Sequence, residues 1–77
     1  MQPPAMRPAE VNRPELLHHA QHAVTLAAEM LAAAVAAERA AGDNPTLASM
    51  CRLAACDAQQ LGRRWDGIIA RLQKAAT

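Results

Sequence analysis

Residues 38–48 read Glu-Arg-Ala-Ala-Gly-Asp-Asn-Pro-Thr-Leu-Ala, and the middle of this stretch decides the fold. A glycine just past an alanine run suits the end of a helix, because it adopts the left-handed conformation without a Cβ clash. Asn44 can accept a hydrogen bond from the free N–H groups of a following helix. Pro45 fits that helix's first turn, where its missing N–H would be unpaired in any case. Gly42-Asp43-Asn44-Pro45 therefore closes one helix and opens another.

Upstream, Asn12 can act as an N-cap, with Pro14 in the first turn and Glu15 at the third helical position, a capping-box arrangement. No glycine or further proline interrupts the chain from there to Ala41. Downstream, the second helix can run to about Lys74, a cation at the negative end of the helix dipole. The expected fold is all-α: an antiparallel αα-hairpin with a helix over about 13–41, a turn over 42–45 and a helix over about 45–74. Each helix would be roughly 40–45 Å long. The 20 alanines agree with this, as does the absence of Phe and Tyr beside a single Trp65, since sheets draw on aromatic and β-branched residues. Residues 1–12 hold Pro3, Pro4 and Pro8 and no apolar period, so they are expected to form a disordered or loosely docked arm. Residues 13–77 then form the helical hairpin.

Heptad rows sharpen the hairpin. The first helix carries Leu17, Val24 and Leu31 in one row and Ala20, Ala27, Ala34 and Ala41 in the next. Leu16, Ala23, Met30 and Ala37 form a flanking row. In the second helix a 4-3 spacing runs through Leu47, Cys51, Ala54, Ala58, Leu61, Trp65, Ile68 and Leu72, which is the expected seam. Beside it lies a small-residue row of Ala48, Ala55 and Gly62 that ends in Ile69. Small residues every seventh position let two backbones approach closely. The apolar arc of the first helix spans about 140°, wider than one partner helix covers. A chain of 77 residues also gains only about 3–5 kcal/mol from a single core. Self-association into a four-helix bundle, or docking on another protein, would supply the missing burial.

The expected activity is accordingly that of a non-enzymatic protein–protein interaction module, an adaptor, regulator or inhibitor, acting as a homodimer or on a protein partner. Leu26, Met30, Met50, Leu53, Trp65 and Ile69 are its candidate contacts, with the methionines adaptable. An alternative is nucleic-acid binding through Arg63, Arg64, Arg71 and Lys74 at the end of the second helix. Four cations are a modest footprint, however, and no exposed aromatic is expected to stack on bases. A second alternative is a metal site. His18 and His22 lie four apart on one helix side with Glu15 within a turn, but the zincin pattern is not met, because His19 follows His18. The polar side of the helix is the simpler location for all three histidines.

Other chemistries find little support. Cys51 and Cys56 diverge by about 140° around one helix, which is unsuitable for a mutual disulfide. Cys51 falls in the apolar seam, and Cys56 on the outer face beside Arg52. There is no phosphate-binding glycine loop, and Thr25, Thr46, Ser49 and Thr77 are the only hydroxyl side chains. No catalytic residue and no cofactor is expected. Eight basic and seven acidic residues give no strong field for steering toward nucleic acid or lipid. The apolar stretch 23–37 is interrupted by Thr25 and Glu29, so no membrane span is expected. Without a signal-peptide core, a cytoplasmic location is the expectation.

Overall fold

A computed structural model of the chain describes residues 11–75. Two helices account for almost all of them: α1, Arg13–Ala40, and α2, Pro45–Ala75. They pack along their lengths as an antiparallel, all-α hairpin. The expected arm over 1–12 lies outside the described residues except for Val11 and Asn12, as do residues 76 and 77.

Both helix starts follow from asparagine chemistry. Asn12 has extended backbone angles (φ −84°, ψ 92°), and its Oδ1 accepts the Glu15 N–H at 3.1 Å. The box closes through side chains, with Asn12 Nδ2 donating to Glu15 Oε2 at 3.1 Å. At the second start, Asn44 Oδ1 accepts the Leu47 N–H at 3.0 Å. Between them Gly42 takes φ 59°, the left-handed region that a Cβ penalises. Its N–H donates to the Arg39 carbonyl, and the Asn44 N–H donates to that of Ala41. These bonds satisfy carbonyls that the end of α1 would otherwise leave unpaired.

The facing register is set by small residues. A Cβ built on Gly62 would stand 3.7 Å from the Ala27 Cβ, in ordinary contact. Leu17 shares a groove with Leu72, and Val24 and Leu31 share another with Ala58 and Gly62. Near the turn, Arg52 Nε meets Glu38 Oε2 at 3.0 Å. Among the described residues the buried hydrophobic ones are all alanines, Ala20, Ala27, Ala48 and Ala58, and no large side chain is fully buried.

The seam of α2 differs from the expected one. Half-buried or buried positions follow Ala48, Cys51, Ala55, Ala58, Gly62, Trp65, Ile69 and Leu72, whereas Leu47, Ala54, Leu61 and Ile68 are exposed. The helix is turned by about 50°, half of one residue's step, toward its small-residue row. Close contact between helices rewards alanine and glycine at the line of approach, where larger side chains would hold the axes apart. Leucine and isoleucine are displaced to the shoulder.

Candidate interaction surface

That rotation leaves the hairpin with two unlike broad faces. On one, Val24, Ala28 and Leu31 of α1 line a groove with Gln59, Arg63 and Asp66 of α2. Arg13, Leu17, Leu72 and Gln73 continue it toward the open end. This face is apolar on α1 and polar on α2. At 100° per residue, the opposite face carries the other flank of each helix. There α1 presents Leu16, Ala23, Met30 and Ala37, and α2 presents Leu47, Ala54, Leu61 and Ile68. Met30 is 54% exposed, Leu47 51%, Leu61 40% and Ile68 36%. The two apolar rows thus share one side of the hairpin, half-buried at Leu16 and Ala23 and exposed at the other positions.

The residues expected from sequence to contact a partner divide by position. Leu26 borders this apolar face on the α1 edge, and Met50 borders it on the α2 edge; both are exposed. Met30 lies within it. Leu53 is 67% exposed on the side of α2 turned away from α1. Trp65 and Ile69 are half-buried in the interhelical seam, where part of each side chain packs within the hairpin. Leu16, Leu47, Leu61 and Ile68 were not among the expected contacts. Their signal was a row of large residues directly beside a row of small ones, which reads as seam and shoulder in either order.

The basic residues do not gather into one strip. Arg64 and Arg71 are seven apart and share an edge, while Arg63 lies 100° further round the helix. Both the arginines and Lys74 are exposed. The three histidines are also exposed. Glu15 Oε1 approaches His19 Nε2 at 3.7 Å, not His18 or His22, and the His18 and His19 rings stand edge to face at 5.4 Å. Among the described residues, no group of three His, Cys, Asp or Glu side chains is placed to hold a metal ion. Both cysteines are free thiols, Cys51 half-buried and Cys56 exposed.

Gly67 lies inside α2, and a Cβ there would meet nothing within 4 Å. Gly67→Ala should therefore raise stability by about 1 kcal/mol through helix propensity alone, read as a higher melting temperature by circular dichroism. A loss of stability would mean that the Gly67 backbone is in close contact with something outside the hairpin.

By length and composition alone α1 is long and apolar enough to cross a membrane, a test that the core helix of a soluble protein also passes. Thr25 and Glu29 do not bound the apolar stretch, because the helix runs unbroken through both and alanine carries the average on either side. Most of this segment is exposed in the hairpin.

The fold and surface define an all-α helical hairpin with one uncovered apolar face. No protein-family model, curated protein or solved structure matches the chain.

Proposed function

We propose that this protein is a non-enzymatic helical interaction module that works as a homodimer, two hairpins closing into a four-helix bundle. The observation that carries this reading is the composition of the hairpin's interior. Four alanines are buried, while Met30, Leu47, Leu61 and Ile68 stand exposed on one face. Fully burying a leucine or isoleucine is worth about 1.5–3 kcal/mol and an alanine methyl about 0.8 kcal/mol. Met30, Leu47, Leu61 and Ile68 keep 36–54% of their surface in water, so a sizeable share of their hydrophobic free energy is unused in the single hairpin. A bundle of four helices packed around the two rows would use it. Leu53 and the far side of α2 would stay available to a further protein.

Self-association makes two linked predictions. Light scattering should give a dimer mass that dissociates only on strong dilution. The melting temperature should rise with protein concentration, because association stabilises the folded chain by mass action. A monomer mass with a melting temperature independent of concentration would refute the homodimer. The exposed rows would then require a different protein to cover them.

A further inference from the structure

The uncovered face also carries information on how a second copy would sit, and the following rests on the proposed self-association. A helix of 31 residues is about 46 Å long, and two packed helices are about 20 Å wide. The face therefore offers roughly 900 Å², close to the approximately 800 Å² per partner of a standard stable interface. A second copy fits this area without any further element.

Two face-to-face arrangements of identical hairpins are related by a two-fold axis. With both turns at the same end, α2 lies over α1 of the second copy. The hairpin register would then bring Asp57 against Ala33 and Arg64 against Leu26, leaving these two charges without a mutual partner, and Arg71 against His19, beside Glu15. Turned end over end, α2 lies antiparallel on α2 of the second copy, and α1 on α1. With the axis level with Leu61, that side chain meets its own copy. Ile68 lies opposite the small Ala54 of the second copy, and Ala54 opposite its Ile68. On the same edge Asp57 comes opposite Arg64 of the second copy, and the symmetry repeats the pair. Within the hairpin, Asp57 and Arg64 line one shallow groove with Gln60 and Leu61. Neither has an ion-pair partner among the described residues. The α1 edges would meet through Leu26 and Ala33, both uncharged.

We infer that the dimer is the end-over-end bundle, with turns at opposite ends, centred on Leu61 and framed by two reciprocal Asp57–Arg64 ion pairs between copies. An isologous interface of this kind pairs unlike residues of two identical surfaces, and complementary charge at its rim fixes the register.

Charge reversal in the full chain tests it, with dimer dissociation constants measured by sedimentation equilibrium at low ionic strength. Asp57→Arg and Arg64→Asp each place two like-charge pairs across the interface, and each should weaken dimerisation by about tenfold. The doubly reversed variant should return to within about threefold of the original protein. An equimolar mixture of the two single variants should do the same, because every heterodimer contact is then again unlike in charge. Recovery in the mixture cannot come from a folding defect. If both single variants stay weak in the mixture and in the double variant while the unaltered protein dimerises, the end-over-end arrangement is wrong and self-association stands. If the unaltered protein is monomeric throughout, both fall.

Discussion

Leu61→Asp is expected to weaken self-association by at least about a hundredfold while leaving the hairpin helical. Each dimer contains two copies of the residue, and each loses the burial of the 40% that the hairpin leaves exposed, roughly 0.6–1.2 kcal/mol of the value of a whole leucine. Counted twice, this is about ten- to sixtyfold at about 1.4 kcal/mol per decade. Removing two aspartate carboxylates from water carries the loss past a hundredfold. Inside the hairpin the same change is mild, because Leu61 is already 40% exposed there. Leu53→Asp makes the control: that side chain is more exposed still and faces away from the proposed interface, so the dimer mass should be unchanged. Analytical ultracentrifugation across concentration, with circular dichroism to follow helicity, reads both. An unaltered dissociation constant for Leu61→Asp would remove the apolar face from the interface. Loss of mass with Leu53→Asp would move the interface to the other side of α2.

Ala27→Leu should destabilise the fold by about 1–3 kcal/mol, the usual cost of overpacking a close contact. Ala27 is 5% exposed, and the space opposite it at Gly62 accommodates one methyl group at 3.7 Å. Three further carbons would have to force the helices apart or leave their preferred rotamer. That cost is a large share of the approximately 3–5 kcal/mol a core of this size supplies. Gly62→Ala is the opposing test. Its methyl group meets the Ala27 Cβ at ordinary contact distance, so the gain in helix propensity, about 1 kcal/mol, should be retained. Urea unfolding at matched protein concentration measures both. A stabilising Ala27→Leu would mean that the helices do not approach along Ala27 and Gly62.

The positions of the two helices could be read from a few residues. Asn12 and Asn44 cap them, Gly42 turns between them, and no breaker interrupts α1 or reverses α2. Which heptad row faces inward was less legible. The large row Leu47, Leu61 and Ile68 and the small row Ala48, Ala55 and Gly62 are neighbours on one helix, and periodicity places both near the partner. A sequence pattern defines an arc of about 100° or more, whereas the contact line within it depends on how closely the two axes approach. For this reason Leu61, expected in the seam, is exposed, and Ile69, expected at a partner, lies half-buried between the helices.

Local chemistry alone thus determined the two helices, their ends and their antiparallel order, since caps, turn glycine and propensity act within a few residues of one another. The tertiary structure decided which side of each helix is spent on the hairpin and which is left uncovered. Alanine and glycine win the line of closest approach because distance between backbones, a property of both helices at once, governs the packing. The large apolar side chains are consequently left at the shoulder, where a second surface can reach them.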